Sequence, residues 1–188
     1  MESLRLYFES EFGISQSDWE LFSSKLVQRY FPKKRILTHQ GKVENYLSFV
    51  ESGIVRLFIP KKDGELTFGF VFQGNFVSAY DSFLEQTPCE YVVETITNSV
   101  LWQLSYHDLQ YIYSTSKIGN LIGRKASEEL FLKKSKRELS LLRDSAQQRY
   151  LNLFKERPEL VQKIPLKYIA SYIGITPQAL SRIRKRIF

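Results

Sequence analysis

The residues of this chain best placed to do chemistry stand near its C-terminal end: Gln178, Ser181, Arg182, Arg184, Lys185 and Arg186, all within nine positions. They offer hydrogen-bond donors and positive charge, which suit the edges of bases and a phosphate backbone rather than bond breaking. At about 100° per residue of helix, Leu180, Ile183 and Ile187 fall on one face, while Gln178, Ser181, Arg182 and Lys185 fall on the other. One face packs and the other is free to touch DNA. No nucleophile, base and orienting acid occur together at a recognisable spacing anywhere in the chain, so an enzyme is not expected.

Two short helices must position that face. Gly174 can take the left-handed conformation that stops a first helix, and Thr176 followed by Pro177 supplies an N-cap oxygen and a preset first helical residue. The first helix, residues 166–173, is expected to pack Ile169, Ala170 and Ile173 against the second, with Ala170 small enough for close approach. This is a helix-turn-helix pattern. Just upstream, Ser145 with Gln148 caps a helix whose buried side is Tyr150, Leu153 and Phe154 and which Pro158 ends.

Charge follows the same division. Residues 1–116 carry a net −4 and residues 117–188 a net +11, so the whole positive balance lies in the C-terminal two-fifths. Such asymmetry over a helix-turn-helix points to a phosphate backbone.

Composition bounds the rest. A chain of 188 residues that is 43% hydrophobic can build an ordinary packed core. No uncharged apolar run approaches the roughly 18 to 20 residues of a membrane span, and the N-terminus lacks a secretory pattern, so a cytoplasmic protein without membrane contact is expected. The single cysteine, Cys89, excludes an intrachain disulfide, and with only His39 and His107 beside it no metal site is expected. Pro88 and Glu90 on either side of Cys89 suggest an exposed loop.

In chain order, residues 1–31 read as helical, with a capping box at Ser15 or Ser17 and an apolar stripe of Trp19, Phe22, Leu26 and Val27. From about residue 35 the pattern turns to short β-rich runs, 47–50, 54–59, 66–72, 91–97 and 100–104, bounded by glycines, and Lys62-Asp63-Gly64 marks a hairpin. Ser105 and Asp108 then cap a helix. A longer helix begins near Ser116, with Ile118, Ile122, Ala126 and Leu130 four apart as the candidate dimer seam; an intrachain packing face is the alternative. Lys133 to Arg137 marks the neighbourhood of a hinge. The expected fold class is α+β: an N-terminal helix and an antiparallel jelly-roll β-roll, cupin-like, then a long dimerisation helix, then an all-α helix-turn-helix domain. Residues 1–115, 116–137 and 138–188 are the expected divisions.

That order of elements is similar to the Crp/Fnr superfamily of bacterial transcription regulators, which the whole chain resembles. The stretches that carry the resemblance are Tyr46 to Leu57 with its Ser52-Gly53 turn, Gly74-Asn75-Phe76, and Ser145 to Tyr150 ahead of the terminal motif. The resemblance implies a homodimeric DNA-binding regulator that meets a near-palindromic operator in double-stranded DNA and also RNA polymerase. By alignment, Gln178, Ser181 and Arg182 lie where bases are read, with Arg182 suited to guanine and Gln178 to adenine. Arg184, Lys185 and Arg186, with Lys167 and Ser171 from the first helix, would meet phosphates.

Three departures qualify the resemblance. Cyclic-nucleotide-binding members place a Gly-Glu pair on the ribose and an Arg-Ser pair on the cyclic phosphate. Here Ser78, Ala79, Cys89 and Glu90 stand in those places, a degenerate pocket in which Glu90 would repel the phosphate. Control by cyclic AMP is therefore not expected, and the roll holds an unknown small-molecule effector or none. The iron–sulfur and haem ligands of the family's redox and gas sensors are missing too, so no cofactor is expected. Winged members also continue beyond the recognition helix, whereas this sequence ends at Phe188; a short wingless type and an early end are both open. The rival reading is a small-molecule sensor or protein-interaction module whose basic helices bind a partner protein.

Overall fold

Short apolar runs between glycine corners pair into two four-stranded sheets, and helices close them off before and after. In the computed structural model, which describes residues 1–187, the order is α1 (Glu2–Phe12), α2 (Gln16–Ser24), β1 (Val27–Phe31), β2 (Ile36–Thr38), β3 (Tyr46–Ser52), β4 (Ile54–Lys61), β5 (Gly64–Phe72), β6 (Phe76–Val77), α3 (Tyr80–Glu85), β7 (Val92–Thr95) and β8 (Ser99–Ser105). Helices α4 (Tyr106–Thr115), α5 (Lys117–Arg143), α6 (Ala146–Glu156), α7 (Pro158–Lys163), α8 (Leu166–Tyr172) and α9 (Pro177–Ile187) follow. The sheets run β1-β8-β3-β6 and β2-β7-β4-β5, the first antiparallel throughout, which is the expected α+β roll followed by helices.

The chain divides into two compact units. The first, Met1–Phe58 with Gly69–Ala126, holds most of the roll. Its strands bury both faces, because successive side chains point to opposite sides. Phe49 of β3 and Leu104 of β8 join the helical core of Leu4, Phe8, Trp19, Phe22, Phe83, Leu109 and Ile112. The neighbouring Val50 and Leu101 join a second core with Val55, Val77, Ala79 and Val93. Two-sided burial explains why β3 reads as Leu47-Ser48-Phe49-Val50 rather than as a clean alternation.

Several local expectations are met. Ser15 and Asp18 form a reciprocal capping box on α2, and Ser105 accepts from the Asp108 amide at the start of α4. Lys62 and Asp63 turn the chain between β4 and β5. One expectation fails: Val27–Phe31 is a strand, not the end of a helix, and Val27 is 53% exposed rather than on a buried stripe. Its pairing with β8, from Val27 opposite Gln103 to Phe31 opposite Ser99, brings in residues 68 to 76 positions away, and that ladder overrides local helical spacing.

The candidate dimer seam divides too. Ile122 is buried at 7% exposure, Ile118 packs against the same helical core, Ala126 is exposed and Leu130 is half-buried. At Ile118 and Ile122 the stripe is thus an intrachain packing face. Helix α5 also runs unbroken through Lys133–Arg137, where the shift in composition predicts a hinge.

Gly53 shows how tightly the β3–β4 corner is closed. It sits at φ 100°, and a Cβ there would come within 2.2 Å of Ser99 Oγ and 2.7 Å of the Asn98 carbonyl. Gly53→Ala is expected to destabilise the roll by about 3 kcal/mol or more, combining left-handed strain with overpacking. Gly64, at φ 132° with nothing within 4 Å of a Cβ, gives the strain alone. Gly64→Ala should therefore lose only about 1 kcal/mol when both variants are compared by denaturant titration.

The second unit is Ile59–Phe68, the tip of the β4–β5 hairpin, with the chain from Ser127 onward. Its core is Tyr150, Leu153, Leu160, Ile164, Ile169, Ala170, Ile173 and Leu180, each under 9% exposed. Ser145 caps α6 as expected, and Pro158 both follows the end of α6 and opens α7, a helix that the residue pattern does not announce. Phe188, the expected end of the last helix, lies outside the described residues.

Candidate nucleic-acid interface

The two terminal helices are built from the signals that their residues carry. Gly174 adopts φ 80°, its amide bonds the Ser171 carbonyl at 3.1 Å, and the Ile175 amide bonds the Ala170 carbonyl at 3.0 Å, closing the end of α8. Thr176 then caps α9: its hydroxyl accepts from the Ala179 amide at 3.2 Å and its carbonyl from the Leu180 amide. Ile169, Ala170 and Ile173 of this pair are buried, as is Leu180 at 1% exposure.

With Leu180 packed inward, the opposite side of α9 faces out. Gln178, Ser181, Arg182, Arg184, Lys185 and Arg186 are all exposed. Arg184, Lys185 and Arg186 fill the last turn, where cations also complement the helix dipole. The result is one surface combining hydrogen-bonding side chains at the helix start with three consecutive cations at its end. Lys167, on α8, is exposed as well, with its ammonium 4.8 Å from the Tyr168 ring centroid.

Ser171 is placed differently from the expectation of a phosphate contact. Its hydroxyl donates to the Glu65 carbonyl at 2.7 Å and accepts from the Thr67 amide at 2.8 Å, bridging the backbone of the hairpin tip. A hydroxyl so engaged has no donor left for a phosphate in this arrangement. Two arginines that sequence reasoning passes over hold the end of α8. Arg137 donates to the Tyr172 carbonyl at 2.7 Å with its guanidinium 3.7 Å from the Tyr172 ring centroid, and Arg149 donates to the Ile173 carbonyl at 2.9 Å. Burial draws the Arg137 guanidinium below its ordinary pKa, against the pull of Tyr172. Arginine in a basic stretch reads as solvated surface, so nothing local marks these as caps for carbonyls far along the chain.

In the roll, the four residues expected at the nucleotide pocket take up different environments. Ser78 donates its hydroxyl to the Tyr46 carbonyl at 2.9 Å, Ala79 and Cys89 are buried, and Glu90 is exposed. Cys89 at 3% exposure corrects the expected exposed loop: its thiol donates to the Tyr91 carbonyl, and burial pushes its pKa up, with nearby Asp81, Glu44 and Glu90 adding to the rise. Arg56, a buried cation of β4, bonds Glu94 at 2.8 Å and lies 3.9 Å from the Phe58 ring centroid.

Comparisons with known proteins agree with this layout. Residues 28–116 match the cyclic nucleotide-binding domain. Over 186 residues the chain is 26% identical to the CRP-like protein Clp of Xanthomonas euvesicatoria, covering 89% of this chain and 80% of that protein. In structure it is similar to CLP of Xanthomonas campestris, described as a c-di-GMP-responsive global regulator, with a TM-score of 0.71, 24% identity and coverage of 92% and 91% of the two chains. FixK2 of Bradyrhizobium japonicum aligns with a TM-score of 0.73 at 14% identity, over 86% and 84%. Among the described residues, no helix is long and apolar enough to cross a membrane.

Proposed function

We propose that this chain is a transcription regulator of Crp/Fnr type, as its similarity to the cyclic nucleotide-binding domain and to CRP-like proteins supports, and that it reads duplex DNA as a homodimer and is not controlled by cyclic AMP. The observation that carries the reading is the outward face of α9, where Gln178, Ser181 and Arg182 stand beside Arg184, Lys185 and Arg186, all exposed behind a buried Leu180. In this reading α9 enters the major groove, with Arg182 and Gln178 on base edges and the three later cations on phosphates. Two copies about 34 Å apart then read a near-palindromic operator.

The partner copy is supported by α5. Phe131, Leu132, Leu139 and Leu142 are 70%, 66%, 57% and 79% exposed. At helical spacing they share one stripe about 100° wide, on a side of α5 distinct from Ile118 and Ile122. Exposed apolar residues in a stripe of this kind suit a two-stranded coiled-coil seam. The reading without cyclic AMP is supported by the roll: none of Ser78, Ala79, Cys89 and Glu90 is a cation, and the buried Arg56 is already matched with Glu94.

The test is a titration of duplex DNA, selected from random sequence, as salt is varied. Binding is expected to be two chains per near-palindromic site and to weaken steeply with salt. A Leu139→Glu, Leu142→Glu variant should sediment as a monomer and bind at least about 100-fold more weakly. Cyclic AMP should leave the wild-type curve unchanged, and cyclic di-GMP, to which Xanthomonas campestris CLP is described as responding, is the first other addition. Salt-insensitive or absent DNA binding sinks the reading and favours a protein partner for α9.

A further inference from the structure

Glu44 occupies the bend between β2 and β3 with only 8% of its surface exposed. Its carboxylate accepts from three separate elements: the Thr38 hydroxyl of β2, the Tyr46 amide of β3 at 2.9 Å, and the Ala79 amide just before α3 at 3.5 Å. Its backbone is tied to α3 as well. The Glu44 amide donates to Ser82 Oγ at 3.0 Å, and the Gln86 side-chain amide donates to the Glu44 carbonyl at 3.3 Å. Gln86 is a non-glycine residue at φ 54°, an uncommon conformation that its side chain secures by bonding the Phe83 carbonyl at 2.8 Å as well. Beyond it, the Gly41 amide bonds the Cys89 carbonyl at 2.7 Å, and the Cys89 amide bonds the Lys42 carbonyl at 2.9 Å. The whole segment from Ser78 to Cys89 is thereby stitched to the bend that carries Glu44.

We propose that Glu44 is an internal ligand of the roll: its carboxyl group, rather than a bound anion, joins β2, β3 and the entry to α3 and keeps residues 78–89 in one conformation without an added effector. The inference concerns the roll alone and stands or falls separately from the DNA reading.

A buried carboxyl group at such a junction couples it to protons. Burial holds the Glu44 pKa above its ordinary value, the bonds from Thr38, Tyr46 and Ala79 opposing that rise. The titratable groups that feel its charge are the Cys89 thiol and the Tyr91 phenol, and Tyr91 itself bonds Asp81. A group whose folded pKa is raised adds stability that is present in acid and lost as pH rises through the raised value, so the folded roll favours the neutral carboxyl group.

Amide hydrogen exchange of the full chain, followed by mass spectrometry, tests this. In Glu44→Ala, peptides covering 78–90 should exchange at least about 10-fold faster while peptides covering 146–187 are unchanged, since three donors lose their acceptor locally. Wild-type protection over 78–90, corrected for intrinsic rate, should fall as pH rises past the ordinary carboxyl range, whereas Glu44→Gln, of the same shape without the ionisation, should give a flat profile. Unchanged exchange over 78–90 in Glu44→Ala, an equal rise in every peptide, or the same pH profile in wild type and Glu44→Gln overturns the proposal. Should Glu44→Ala not fold, the Glu44→Gln profile decides alone.

Discussion

An Arg182→Ala, Arg184→Ala double variant is expected to bind its selected duplex at least about 100-fold more weakly than the wild type, with an unchanged unfolding transition. Both side chains are exposed on α9, so their removal leaves the packing of Leu180 and Ile169 intact. A bidentate arginine on guanine accounts for about 1–3 kcal/mol of discrimination, and two copies in a dimer double that. The two substitutions act differently. Arg182→Ala alone should relax the preference at one base pair of each half-site. Arg184→Ala alone should weaken all sequences alike and lower the slope of log K against log salt by about 0.9 for each phosphate no longer neutralised. Electrophoretic titrations at several salt concentrations separate these outcomes. A double variant that binds like the wild type would remove α9 as the reading surface.

Leu180→Ala is expected to abolish DNA binding by a different route. Leu180 is 1% exposed and lies in the core shared with Ile169, Ala170 and Ile173. Truncating such a leucine leaves a cavity and costs about 2–5 kcal/mol, a large share of the roughly 5–15 kcal/mol that holds a small domain together. Protection of α6 to α9 in hydrogen exchange should collapse, while the peptides of β3 and β8, whose core residues are Phe49, Val50, Leu101 and Leu104, keep theirs. Half-buried Ile183 offers the contrast, since Ile183→Ala takes less apolar surface out of the packed interior and should retain binding. Loss of protection in the roll equal to that in α6 to α9 would show that the two units unfold together.

One face of α9 is exposed and the other packed inward, and that division is legible from residue spacing. So is much of the local architecture. Ser15, Ser105, Ser145 and Thr176 each cap the helix that their position announces, and the Lys62-Asp63-Gly64 corner turns between β4 and β5. Family resemblance extends this to the order of the roll and the terminal helices, which the structural comparisons share.

Other features depend on partners that no local pattern announces. Val27 to Phe31 follows a helix in spacing yet pairs with β8. Cys89 sits between Pro88 and Glu90 yet is buried, because its loop is bonded to Gly41 and Lys42. Ser171 lies on a helix suited to phosphates, but its hydroxyl bridges a hairpin more than 100 residues earlier in the chain. On α5 the regular stripe of Ile118 and Ile122 turns inward, and the exposed apolar residues are Phe131, Leu132, Leu139 and Leu142.

The sequence by itself determined the caps at Ser15, Ser105, Ser145 and Thr176, which face of α9 is polar, and where the positive charge gathers. Capping, turn conformation and helical periodicity involve atoms within about four residues of each other, so neighbouring residue types suffice to set them. The tertiary structure alone decided that Ser171 is engaged, that Arg137 and Arg149 hold the end of α8, and that Glu44 closes the bend of the roll. Each of those interactions joins positions brought together only when the apolar surfaces of distant segments are buried, and burial is a property of the whole fold rather than of any one stretch.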